Sequence, residues 1–186
     1  MARPIEYDLE KALDNAMEIF WKRGYENASM AELASSTGLN RGAIYSLFKD
    51  KEGLFKDALD NYYPRKAARQ IKVLKENSGK KGIVLFFEDF KFRKNYKGCL
   101  FSNTMSEKFF LDAQSYSIPT EFFSKVKVQM EENLNQAKEM GEFTGDSKAM
   151  ALTIITLIHG FHVYGKYNSS KEDSNSIINN ILSMIK

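Results

Sequence analysis

The sequence predicts an all-α protein: a small N-terminal head of three helices with a helix-turn-helix, then a larger helical body, about nine helices in total. Three observations carry this. Apolar residues recur at three- and four-residue intervals over most of the chain, and no alternating strand pattern stands out. Three prolines and eleven glycines are few breakers for 186 residues. Helix starts need a side-chain acceptor, and Ser29, Asn40, Asp50 and Asp146 stand where one is wanted.

In chain order, the spacing of Leu9, Leu13, Ala16, Met17 and Phe20 predicts a helix over Glu6–Arg23, stopped by Gly24. Ser29 and Glu32 form a capping box for a short helix from Met30 that ends at Thr37-Gly38. Asn40 caps a third helix over Arg41–Leu47, and Asp50 caps a fourth from Lys51 that Pro64 should end or kink. Further helices are predicted over Arg65–Glu76, Ile83–Arg93, Cys99–Ala113, Glu121–Met140, Ser147–Tyr167 and Lys171–Ile185. Loops are expected at Asn77–Gly82 and Gly141–Gly145, and a break at Ser117–Thr120 around Pro119. The head takes residues 1–55, with the fourth helix linking onward, and the ligand-binding and dimerisation body takes 56–186.

Composition narrows the class. At 43% hydrophobic and 27% charged residues the chain is that of an ordinary globular protein. Its one cysteine, Cys99, excludes an intramolecular disulfide and a multi-cysteine zinc site, and fits a reducing cytoplasm. The apolar stretch Met150–Val163 is too short and too polar to span a membrane. Charge is uneven. Residues 1–63 carry eight lysines and arginines against eleven carboxylates, whereas 64–98 carry eleven against three. The basic run 65–81 therefore lies outside the predicted head and is expected to be mainly a solvated face.

Two short helices joined at Gly38, after a longer amphipathic one, make a helix-turn-helix, whose second helix is the one that enters a major groove. Here that helix is Arg41–Phe48. Ile44, Leu47 and Phe48 are expected to face Leu33, Ala34 and Leu39, leaving Arg41, Gly42, Ala43, Tyr45 and Ser46 outward.

The residues Ala12, Ala16–Phe20, Gly24-Tyr25, Ser29–Ala34, Gly38–Tyr45, Phe48 and Lys51–Phe55 together resemble the DNA-binding domain of tetracycline-repressor (TetR) family regulators, in register and without gaps. The resemblance covers about a third of the chain. It implies a dimeric repressor of a palindromic double-stranded operator, with no cofactor and no metal. It also implies contacts to DNA from Ser29, Asn40, Arg41, Gly42, Ala43, Tyr45, Ser46 and Lys51. Tyr45 and Lys51 match the family's phosphate-contacting positions. Asn40 and Ala43 depart from the family's usual Ser and Thr, and Ala43 offers only an apolar contact, for example to a thymine methyl. The segment Lys97–Asn103 with Glu107 resembles one branch of these regulators.

The body is expected to take a small apolar or aromatic effector among Phe86, Phe90, Cys99, Asn103, Glu107, Phe110 and Phe123, where aromatic rings and a few polar groups come together. Phe109 and Phe122 belong to the same Phe-rich interior. Homodimerisation is expected through Leu157, Phe161, Tyr164, Ile178 and Ile181 of the last two helices, the first of which is apolar on more than one face. Cys99, at a helix start downstream of Lys94 and Lys97, offers an alternative thiol or electrophile sensor. A more distant alternative pairs Cys99 with His159 or His162 as an enzyme nucleophile and base. A helix-turn-helix scaffold without a small-molecule response is a third. His159 and His162 stand three apart with no Asp or Glu in the same helix, which favours interior histidines over metal ligands.

Overall fold

The protein, seen here as a computed structural model, is described over residues 8–90, 96–167 and 170–186. Among these residues there is no strand, and helices dominate. The chain divides into two compact units. One runs to Pro64 and adds Cys99–Pro119; the other takes Arg65–Gly98 and Thr120–Lys186. The segment 99–119, expected in the body, thus belongs to the unit that holds the helix-turn-helix.

In the first unit, α1 (Leu9–Arg23) starts where Asp8 accepts from the Lys11 N–H and stops at Gly24, whose φ of 79° suits glycine. The expected start at Glu6 lies outside the described residues. α2 (Met30–Thr37) has the full Ser29/Glu32 capping box, and α3 (Arg41–Phe48) is capped by Asn40. Gly38, left-handed at φ 73° and ψ 5°, makes the turn between them. α4 (Lys51–Tyr62) is capped by Asp50. Pro64 does end it, but the chain passes into one wider π turn, Tyr63–Ala67, before α5 (Ala68–Glu76). Apolar faces of α1, α2, α3 and α4 meet in a core of Ala16, Phe20, Leu33, Ile44, Leu54, Phe55 and Leu59, each essentially inaccessible to water. Each large side chain buried there contributes about 1.5–3 kcal/mol. Phe20 and Phe55 meet edge to face at 4.8 Å between centroids. α7 (Leu100–Met105) joins this unit through Tyr62, whose ring meets Phe101 at 4.9 Å and Trp21 at 5.2 Å.

α7 is shorter than expected. It spans Leu100–Met105, and a single 3-10 turn at Lys108–Phe110 follows. The helix gives way because Glu107 is drawn into bonds with distant backbone, described below. As a result Phe109 and Phe110 are 95% and 54% exposed, not interior.

The second unit contains α5, α6 (Gly79–Phe87), most of α8 (Ala113–Glu139), α9 (Ser147–Tyr164) and α10 (Lys171–Ser183). α6 starts at Gly79, four residues before the expected Ile83. Its free N–H groups are met by α8 and its C-terminal turn: Gln136 accepts from Gly79 N at 3.0 Å, and Glu142 from Lys80 N at 3.0 Å. Glu88–Phe90 closes α6 as a 3-10 turn; 91–93, expected to be helical, lie outside the described residues. α8 runs through Pro119 without the expected break. Pro119 is buried and Phe122 and Phe123 follow it inward, so packing outweighs the one hydrogen bond that proline removes. Phe86, Phe87 and Phe90 pack on one another at 5.2–5.3 Å, and Ile83, Met130, Leu134, Ile154 and Ile158 complete the core.

Candidate nucleic-acid interface

α3 is held from beneath and from its ends. Ile44 is fully buried against the first unit's core and Phe48 nearly so. The Asn40 carboxamide oxygen accepts from Ala43 N at 2.8 Å, so this side chain is spent on the cap. From α1, Asn15 donates to the carbonyl of Ser36 at 2.8 Å, tying off the end of α2. With that frame fixed, Arg41, Gly42, Tyr45 and Ser46 are exposed and Ala43 is half-buried. Leu47, expected inward, is 45% exposed. α3 is only eight residues long, and its turns at Ile44 and Phe48 already fill the space above the core. Gly42 and Ala43 keep the outer face low, which allows close backbone approach to a partner surface.

The start of α4 stands beside this face. The Lys51 ammonium donates to the carbonyl of Glu26 at 3.1 Å and lies 4.6 Å from the centre of the Tyr25 ring. Tyr25 is held above the ordinary phenol value, first by burial and then by the carboxylates of Glu52 and Asp50, so its ring stays neutral beneath the ammonium. At the start of α2, the Ser29 hydroxyl accepts from Glu32 N at 3.1 Å, and Glu32 is paired with Arg23 at 2.9 Å. The backbone of Ser29 bonds Glu32 and lowers its pKa, with Arg23 adding to the effect. Chemically the surface offers a narrow outward helix with a guanidinium, a phenol and a hydroxyl. An ammonium and the capped start of α4 flank it. That donor-rich set suits phosphate and base edges.

The residues expected to form an effector pocket divide between the units. Cys99, Asn103, Glu107 and Phe110 lie in the first; Phe86, Phe90 and Phe123 lie in the second. Phe110 points into solvent and Glu107 bonds the turn after α1. Cys99 is half-buried with its sulfur 3.6 Å from the Tyr62 hydroxyl. Phe90 stacks on His162, and Phe123 lies 4.3 Å from His159. His162 is buried beside Phe161, and its Nδ1 pairs with the Tyr96 hydroxyl. No group of three His, Cys, Asp or Glu side chains placed to hold a metal occurs among the described residues. Of the residues expected at a dimer interface, Leu157, Tyr164 and Ile178 are partly exposed. Phe161 and Ile181 are buried in the second unit's own core, because α9 turns that side toward Phe90 and α10. The outward stripe of α9 is instead Leu152, Thr156, Gly160 and Val163.

The contact of Lys51 with Tyr25 and the tie from Glu107 to the turn after α1 are not expected from the sequence. Gly24-Tyr25 was visible as a pair; the partner 82 residues away had no local signal.

A capped pair of short helices with an exposed polar second helix defines a helix-turn-helix DNA-binding protein. The sequence profile of the bacterial regulatory proteins of the tetR family matches residues 12–58, which cover this interface. The chain thus carries a tetR-type DNA-binding domain over those residues. It is 46% identical over 67 residues to the HTH-type transcriptional repressor ComR of Escherichia coli K12, a match covering 36% of this chain and 32% of ComR. The chain thus matches about a third of that relative. With the uncharacterized HTH-type regulator YezE of Bacillus subtilis it shares 28% identity over 155 residues, 78% of each chain. The fold matches a cysteine variant of the TetR-family regulator CifR, solved with 26-bp double-stranded operator DNA, at a TM-score of 0.83 and 23% identity over all of both chains. It also matches reduced NemR of E. coli at 0.77 and 20% identity, over 95% of this chain and 94% of that one. No helix among the described residues is long and apolar enough to cross a membrane.

Proposed function

We propose that this chain is a TetR-family transcriptional regulator, a ligand-responsive repressor that binds a palindromic operator as a homodimer. The exposed face of α3 above a closed core carries the DNA-binding part. Arg41, Ala43 and Ser46 meet bases or nearby backbone. Tyr45 and Lys51 meet phosphate, and Gly42 lets the helix backbone come close. Ser29 and Asn40 contribute their helix starts, since both side chains are occupied as caps. The repressor names of relatives such as ComR support the sign of regulation.

Dimerisation is supported by the outward stripe of α9, in which Leu152 and Val163 flank the small residues Thr156 and Gly160. Pairing there, with Leu157, Tyr164 and Ile178 at its margin, sets two α3 helices on successive major grooves roughly 34 Å apart. An apolar or aromatic effector that binds one shape of the dimer better weakens DNA binding by that difference in affinity. Selection of bound sequences from random DNA, followed by titration of the selected site with and without a panel of hydrophobic compounds, tests this. Recovery of a non-palindromic site, or of no site, overturns it.

A second reading makes Cys99 the sensor. The half-buried thiol beside Tyr62 favours it, as do the cysteine variants studied in CifR and the reduced form of NemR. Oxidant release from operator DNA that disappears in Cys99→Ser supports the thiol; release that persists removes it.

A further inference from the structure

We propose that Glu107 is a positioning residue for DNA binding, acting on Lys51 through the turn between α1 and α2. The inference rests on Lys51 as a phosphate contact. Both carboxylate oxygens of Glu107 are engaged. Oε2 accepts from Tyr25 N at 2.9 Å and Oε1 from Glu26 N at 3.2 Å. Hydrogen bonds to an ionised acceptor are roughly twice as strong as neutral ones. Gly24 makes room for this. A Cβ built at position 24 would come within 2.7 Å of Glu107 Oε1. Lys51 in turn uses the carbonyl of Glu26, the residue whose N–H Glu107 holds. The Lys51 ammonium bonds that carbonyl at 3.1 Å and overlies Tyr25.

The segment has a second hold, next to Lys51 in sequence. Glu52 Oε1 accepts from Asp112 N at 2.7 Å. Carboxylate–amide bonds at Glu107 and Asp112 therefore flank Lys51 on both sides, one through the turn and one through the first turn of α4. A side chain with four rotatable bonds loses much entropy when it must meet a phosphate; a pre-formed seat on Glu26 and Tyr25 reduces that loss. Glu107 builds the seat without touching DNA. Withdrawal of the 107–112 segment, by whatever signal, would then lower affinity through Lys51.

Simple electrostatics predicts the opposite sign. A carboxylate near a phosphate surface repels DNA, so its removal should tighten binding. The test uses the full chain and its selected operator fragment, with affinity measured across a salt series for wild type, Lys51→Ala, Glu107→Gln and the double variant. Lys51→Ala should weaken binding and reduce the salt slope by about one. Glu107→Gln should weaken binding roughly tenfold, a loss typical of a bond to a charged group. In the Lys51→Ala background it should change nothing further. Glu52→Gln, which loosens the other hold, should act in the same direction and also be absorbed by Lys51→Ala. Far-UV circular dichroism confirms that each variant is folded; if Glu107→Gln is not, Glu52→Gln carries the test. Unchanged or tighter binding by Glu107→Gln, or additive losses in the double variant, overturns the proposal. If Lys51→Ala itself binds as wild type, the phosphate assignment fails first and the inference with it.

Discussion

Asn133, fully buried on α8, donates its side-chain amide to the main-chain oxygen of Asn77 at 2.6 Å. The same amide nitrogen lies 3.4 Å from the carbonyl of Gly79, and the Asn133 oxygen accepts from Gln129 at 3.4 Å. One side chain thus satisfies the backbone where α5 ends and α6 begins, inside the second unit. Asn133→Leu leaves the Asn77 carbonyl and the Gln129 amide without this partner. A destabilisation of about 2–3 kcal/mol is expected, read as a lower urea midpoint at unchanged m-value.

Gly82 tests the same arrangement from the opposite wall. A Cβ there would lie 2.5 Å from the Asn133 amide nitrogen and 2.1 Å from the Asn77 oxygen. Backbone cannot yield as a flexible side-chain end can. Gly82→Ala should therefore cost about 1–3 kcal/mol, although alanine favours helix intrinsically. A rise in thermal midpoint would show that α6 starts elsewhere.

Tyr45 and Arg41 should differ in what they do to DNA binding. Tyr45→Phe removes one hydroxyl from an exposed ring and should weaken operator and nonspecific DNA alike by about 1 kcal/mol, with the salt slope unchanged because no charge is lost. Arg41→Ala should cost about 1–3 kcal/mol on the operator and relax its base preference at one position of each half-site. Fluorescence anisotropy with matched and substituted half-sites separates the two.

Association should respond to the outward stripe of α9 and not to the core beneath it. Leu152 is 59% exposed, so Leu152→Glu leaves the unit folded but places a carboxylate in the proposed interface. Sedimentation velocity at micromolar concentration should give a dimer for wild type and a monomer for this variant. Ile181→Glu should instead unfold the second unit, since Ile181 is 2% exposed. A wild-type monomer would count decisively against the dimer.

His162 makes stability depend on pH. Burial, helped by the nearby His159 and Lys166, pushes its value from 6.5 down to about 3. Between those values the unfolded chain takes up a proton that the folded chain refuses, so stability is full above 6.5 and is lost as pH falls toward 3. His159, lowered by burial, acts in the same direction. From pH 7 to pH 5 the loss through His162 is about 2 kcal/mol. His162→Asn, which keeps an acceptor for the Tyr96 hydroxyl, should flatten the dependence by that amount in urea titrations at the two pH values.

Much of the interface was legible in the sequence because its signals are local. The Ser29/Glu32 box, the Asn40 and Asp50 caps and the left-handed Gly38 each act within three or four residues, and all appear in the structure. Of the inward set expected for α1, Ala16, Met17 and Phe20 are buried, whereas Leu9 is 44% exposed at the helix start. What only the tertiary structure decided depends on which distant faces meet. Pro119 is a breaker by local chemistry, yet the packing of Phe122 and Phe123 carries α8 through it. Phe109 and Phe110 have the hydropathy of core residues, yet the bonds from Glu107 to Tyr25 and Glu26 end α7 early and leave both rings in water. Phe161 and Ile181 have the pattern of an interface, yet Phe90 and α10 claim that side of α9. Periodicity states that a residue has an inner face; it carries no information about whether the surface that meets it is its own chain, a partner or solvent.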